Sequence, residues 1–138
     1  VTSAFRFTRR VQFHETDAAG IVHFSWYPRY MEEAEHAMWR AAGLSIHVPG
    51  SHIGWPRVAI AFDYRRPLRF EDEVEIALEV AAMSARSMRY RCTLTRDAEV
   101  IATGSMTIVC VEYLPDAPPR AVPIPPAVAA RFRPAPEP

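Results

Sequence analysis

Lysine and asparagine are missing from this sequence of 138 residues, and all 16 basic side chains are arginine. Every cation is therefore a planar fork suited to carboxylate or phosphate rather than a compact ammonium. The formal net charge is zero, so no basic excess draws nucleic acid or an anionic membrane surface. No apolar run approaches the roughly 20 residues that span a bilayer. Arginines interrupt the apolar residues near the N-terminus, where a signal peptide would need a continuous core. Cysteine is scarce. Cys92 and Cys110 fall in strand-like segments, which reads as two buried, reduced thiols of a cytoplasmic protein rather than a disulfide framework. There is no HExxH motif and no internal repeat. A chain of this length forms one domain whose core needs neither disulfide nor structural metal.

What is present is patterned. Phe5, Phe7, Val11 and Phe13 alternate with polar residues, predicting a half-buried strand that breaks after Phe13. From Ser25 the period changes. Tyr27, Tyr30, Met31, Ala34, Ala37, Met38, Ala41 and Ala42 recur at three and four, predicting a long helix. Ser25 is its expected N-cap, Pro28 suits the first turn, and Gly43 its expected stop. Alternation then returns in Val58–Tyr64, Val74–Val80, Met88–Leu94 and Val100–Tyr113, the last apolar on both faces as for an interior strand. The order is one strand, one long helix and four strands, an α+β layout with a five-stranded antiparallel sheet. One helix leaves the far side of such a sheet uncovered, so at least a homodimer is expected. Residues 114–138 hold nine of the 13 prolines and are expected to form an extended tail outside a domain spanning 1–113, with one short helical turn near Pro126–Phe132.

Chemistry concentrates in the junction between the first strand and the helix, His14-Glu15-Thr16-Asp17-Ala18-Ala19-Gly20-Ile21-Val22-His23-Phe24. Asp17 can serve as general base or nucleophile, or can simply bond backbone N–H groups of a turn. Gly20 permits positive φ or close approach to a ligand. A free N–H at the helix start, such as that of Phe24, is a pre-aimed oxyanion donor. His23 can orient water or settle into local hydrogen bonds, and His14 and Glu15 read as the loop's rim. His14, Asp17 and His23 have ligand-type side chains at no metal-binding spacing, so no metal or other cofactor is expected. Glu32, Glu33 and Glu35 favour the helix dipole, with Glu33 the one that could face a cleft.

The run Phe13-x-x-x-Asp17-x-x-Gly20-Ile21-Val22-x-Phe24, leading into a helix with Tyr27 and Tyr30, resembles the hotdog-fold thioesterases, nearest to the 4-hydroxybenzoyl-CoA thioesterase branch. The resemblance covers about residues 4–113. It implies a helix wrapped by the sheet, a homodimer often paired into a homotetramer, sites at the dimer interface, and an acyl-CoA substrate. It places Asp17 as the catalytic carboxylate and the Phe24 amide as the oxyanion donor, with Tyr27 beside the substrate. It sets Arg86, Ser87 and Arg89 near the CoA nucleotide; Arg65 and Arg66 are weaker candidates. A thioesterase acting on acyl carrier protein, a dehydratase-like relative and a non-catalytic acyl-CoA binder are the alternatives.

Overall fold

The computed structural model describes residues 4–134. Its elements, in chain order, are β1 (Phe5–Arg10), the 3-10 turn Phe13–Glu15, α1 (Trp26–Ala41), β2 (Ile53–Gly54), β3 (Arg57–Tyr64), β4 (Glu73–Met83), β5 (Ser87–Arg96), β6 (Glu99–Val109), β7 (Val111–Glu112), β8 (Arg120–Ala121) and α2 (Pro126–Ala129). Five strands form one antiparallel sheet in the order β1-β4-β5-β6-β3. Strands β3 and β4 follow each other in sequence but lie far apart: β3 pairs with β6 at one edge, and β4 joins β1 at the other. Strand β6 is interior, as its two apolar faces predict, while β5 holds the middle.

Helix α1 lies in the curve of this sheet, the hotdog arrangement that the resemblance implies. Its inward face packs on the buried residues Ile76 and Leu78 of β4 and Met88, Tyr90, Cys92 and Leu94 of β5. Each large apolar side chain removed from water here contributes about 1.5–3 kcal/mol. The buried stripe is rotated from the one the alanines suggest. Tyr27, Tyr30, Met31, Ala34 and Met38 are buried as expected, but Glu35 and Trp39 join them, whereas Ala41 is exposed. Trp39 donates its indole N–H to the Tyr90 hydroxyl at 3.0 Å, which lets both sit in the core. The helix ends as Gly43 predicts. With φ of 79°, Gly43 sends its N–H to Arg40 O at 3.0 Å, and Leu44 N–H returns to Trp39 O at 2.9 Å, a Schellman closure.

The described part of the proline-rich segment, residues 114–134, packs onto the rest of the chain; residues 135–138 of the expected tail lie outside the described residues. Strand β8 extends a small sheet with β7 and β2, and Ile124, Val128 and Phe132 are buried in the main core. The short helical turn expected near Pro126 is α2. Phe132 meets the Trp39 ring at 5.2 Å between centroids. Cys92 and Cys110 are buried and unpaired; burial pushes the Cys92 thiol up to about 12, which makes it inert at neutral pH.

Candidate active site

The junction between β1 and α1 is held in shape before any ligand arrives. Thr16 and Val22 pair as an isolated antiparallel bridge. Inside it, Asp17 N–H donates to Ile21 O at 2.8 Å and Gly20 N–H to Asp17 O at 2.9 Å. Gly20 adopts φ of 80°, a conformation costing an L side chain about 1–2 kcal/mol. A Cβ there would meet nothing within 4 Å, so the backbone turn requires glycine and close packing does not. The Asp17 carboxylate accepts the Ala19 N–H through Oδ1 at 2.8 Å. This is the turn bond that the loop alone suggests, and it leaves Oδ2 without a partner among the described residues.

Asp17 lies on a cleft of about 510 Å³ that it shares with Phe24, Tyr27, Tyr64 and Arg65, a size suited to a small-molecule ligand. The Phe24 N–H, two residues ahead of the first helical residue, meets no acceptor among the described residues. The same peptide is braced from the other side, where the Tyr64 hydroxyl donates to Phe24 O at 3.2 Å. Tyr27 stands edge-on to Tyr64 at 4.8 Å between centroids. Burial, with Tyr64 beside it, pushes the Tyr27 phenol up to about 12, so Tyr27 is a neutral wall.

Ser25 differs from its expected role. It is in the α region and makes no side-chain cap. Its hydroxyl instead meets His23 Nδ1 at 2.8 Å, and its N–H donates to the same nitrogen at 3.3 Å. With Nδ1 accepting, the neutral ring carries its proton on Nε2, which has no partner among the described residues. The His23 ring tilts over Phe24 at 4.5 Å, and both are exposed.

The rim residue Glu15 is the largest departure from the sequence reading. It is buried to 1% exposure. Its Oε1 accepts Arg9 Nη1 at 2.7 Å, the Gln12 N–H at 2.8 Å and the Tyr30 hydroxyl at 2.8 Å. Burial pushes this carboxyl up, but the bonds from Arg9, Gln12 and Tyr30 outweigh it and hold it below the usual 4.5. Its contribution to stability is therefore full above that value and is lost as pH falls through the lowered one. Glu33, the helix acid read as facing a cleft, lies in this network, accepting Arg9 Nε at 2.8 Å.

A family model described as the thioesterase-like superfamily matches residues 11–132. The chain belongs to that superfamily. The 1,4-dihydroxy-2-naphthoyl-CoA hydrolase of Synechococcus elongatus is 31% identical over 111 residues, covering 78% of this chain and 82% of the relative. The acyl-CoA thioester hydrolase YbgC of Escherichia coli is 29% identical over 140 residues, covering 96% and 98%. A crystal structure of a 4-hydroxybenzoyl CoA thioesterase variant superposes with a TM-score of 0.84 over 96% of this chain and all of the other, at 17% identity, a likeness of fold.

This thioesterase thus brings Asp17, Phe24 and Tyr27 to one cleft, with Gly20 shaping the loop and His23 beside it. Arg86, Ser87 and Arg89 are elsewhere in the chain. Tyr64 at the cleft is level with Ala102 and Leu94, whereas Arg89 is level with Thr107 and Ala59. Five residues of β5 separate the two levels, roughly 16 Å at the rise of a strand. The arginines on the cleft itself are Arg65 and Arg66, set by backbone bonds to Ile101 O at 2.9 and 3.1 Å. Arg66 is engaged by Glu99 at 2.8 Å. The Arg65 side chain has no acceptor among the described residues. No group of three or more His, Cys, Asp or Glu side chains converges among the described residues, and no described helix is long and apolar enough to cross a membrane.

Proposed function

We propose that this thioesterase hydrolyses an acyl-CoA to the free acid and CoA, with Asp17 as general base or nucleophile and the Phe24 N–H as oxyanion donor. The observation that carries this reading is one cleft holding an uncommitted Asp17 oxygen and an unbonded Phe24 N–H. The thioester carbonyl would lie between them. The amide then meets the charge that develops as the carbon becomes tetrahedral, and CoA leaves as a thiol. The aromatic walls Phe24, Tyr27 and Tyr64 support an aryl acyl group, the class named in the Synechococcus relative. Release of free thiol from matched aryl- and alkyl-CoAs tests this. Turnover of the aryl series with a higher kcat/KM is expected; no turnover of any acyl-CoA would overturn the reading.

The Arg65 side chain, which meets no acceptor among the described residues, lies on the cleft and is assigned to an anionic group of the substrate. Arg65→Gln is expected to raise KM about three- to tenfold with kcat unchanged, the signature of lost uniform binding.

We also infer a homodimer formed through β3, with two dimers able to pair into a homotetramer. Strand β3 is a sheet edge whose Val58, Ile60 and Tyr64 are 59%, 47% and 48% exposed. A long apolar edge is a template for another strand, and a second copy there would cover Phe24 and Tyr64 and close the cleft. Ile60→Arg is expected to leave a monomer in sedimentation velocity, with activity reduced accordingly. Two buried unpaired cysteines support a reducing, cytoplasmic setting.

A further inference from the structure

Resting on the role proposed for Asp17, we infer that Glu15 is a positioning residue that fixes the distance between the Asp17 carboxylate and the Phe24 amide. Two halves of the site must be held in register: the chain entering the loop at Thr16–Asp17, and the chain leaving it at His23–Phe24. Glu15 is bonded to both sides. Through its carboxylate it pins the 3-10 turn before Asp17, accepting the Gln12 N–H, and it ties that turn to α1 by accepting the Tyr30 hydroxyl. Through its backbone carbonyl it accepts the His23 N–H at 2.9 Å, one residue before the oxyanion donor. Arg9 locks the assembly from β1, since it bonds Glu15 and Glu33 together and lies 4.3 Å over the Tyr30 ring.

The carboxylate sits where a charge is costly, which a mere loop filler would not need. Its Oε1 takes three donors while Oε2, equally buried, has no hydrogen-bond donor among the described residues. Every bond of the side chain therefore runs through one oxygen, and each fixes a different element: β1, the turn and α1. Misplacing a catalytic group by about 1 Å costs up to roughly 100-fold in rate, so a loosened anchor should be felt in kcat.

Glu15→Gln keeps an oxygen that can accept from Gln12 and Tyr30 but removes the charge that holds Arg9. Tyr30→Phe removes the tie to α1 alone. The test measures kcat and KM for both variants, each verified as folded by near-ultraviolet circular dichroism, and repeats Glu15→Gln in an Asp17→Asn background. The expected result is a kcat about 10- to 100-fold lower for each single variant, with KM changed less than about threefold. Glu15→Gln should lose much less activity once Asp17 is Asn, because a large part of its effect runs through that residue. Folded variants with wild-type kcat would overturn the inference, as would an equal loss in both backgrounds. If Glu15→Gln fails to fold, Tyr30→Phe carries the test. Asp17→Asn serves as the separate control: full activity in that variant alone refutes the catalytic reading itself, whereas an inactive Asp17→Asn beside fully active Tyr30→Phe refutes only the positioning role.

Discussion

Asp17→Asn will lower kcat by about 10²- to 10⁴-fold, the range supplied by a positioned base, while KM for an acyl-CoA stays within a few-fold. The substitution is nearly isosteric. The amide oxygen of Asn can still accept the Ala19 N–H that Oδ1 accepts now at 2.8 Å, so the loop should keep its shape. What disappears is the charge and basicity of the second oxygen. Activity is read as thiol release, and binding as retention of a non-hydrolysable acyl-CoA thioether. Wild-type turnover by the variant would remove Asp17 from the chemistry. Single-turnover hydrolysis in oxygen-labelled water by the wild-type enzyme then assigns its role. Direct attack by water labels the product acid at once, whereas an anhydride attacked at the Asp17 carbonyl leaves the label on the protein.

The proposed oxyanion donor in the same cleft is harder to remove, because it is a main-chain N–H that no side-chain substitution deletes. Tyr64 offers indirect access, since its hydroxyl holds the Phe24 peptide from the carbonyl side. The pairing also explains why a residue near the end of an edge strand belongs to the site. The strand brings it across from α1, and only the tertiary arrangement puts the two side by side.

The parts of this molecule that were legible in the sequence are those fixed by local period. Alternation marked β1, β4 and β5, and the switch to a period near 3.6 at Ser25 located α1 to within a residue. Asp17 and Gly20 stood out because a polar, glycine-containing break between a strand and a helix has few uses. Glu15 was passed over for the opposite reason. A glutamate in a loop reads as solvated, and its burial depends on Arg9 and Tyr30, which come from two other elements. A local trace did exist: Gln12 and Glu15 have capping-box spacing, and the Glu15 half of the box is formed, its Oε1 accepting the Gln12 N–H at 2.8 Å. The proline-rich segment misled differently. Prolines exclude long regular elements, but they do not prevent packing, and Ile124, Val128 and Phe132 recur every fourth residue as a buried row. Strand β3 alternates as expected, yet much of it is exposed in the single chain. This chain's own core leaves the strand's apolar face uncovered, which is the observation behind the proposed dimer.

Glu35 gives the largest expected effect on stability. It is fully buried in the middle of α1, whereas the sequence reading places it only as an acid favoured by the helix dipole. The structure pairs it with Arg57 at the start of β3. The Arg57 fork donates one nitrogen to Glu35 Oε2 at 3.2 Å and the other to Glu35 Oε1, and it reaches Glu32 at 3.3 Å. Burial lowers the Arg57 pKa, but the charges and hydrogen bonds of Glu35 and Glu32 together outweigh it and hold the guanidinium above its ordinary value. A buried pair of this kind adds little beyond an apolar pair of equal volume, because desolvation offsets the attraction. Breaking it is another matter. Arg57→Met strands a carboxylate in the core, and the expected loss is about 3–5 kcal/mol, a large part of the roughly 5–15 kcal/mol that holds a domain of this kind folded. The double variant Glu35→Leu/Arg57→Met should recover most of that loss. Urea unfolding checks both, with the midpoint falling for the single variant at unchanged m-value and returning toward wild type in the double. Equal midpoints for the single and double variants would mean that the stranded charge is not the cause. Since Arg57 ties α1 to β3, and β3 carries Tyr64 to the cleft, the single variant should also lose activity before it unfolds. Thiol release measured along the same urea series would detect that loss.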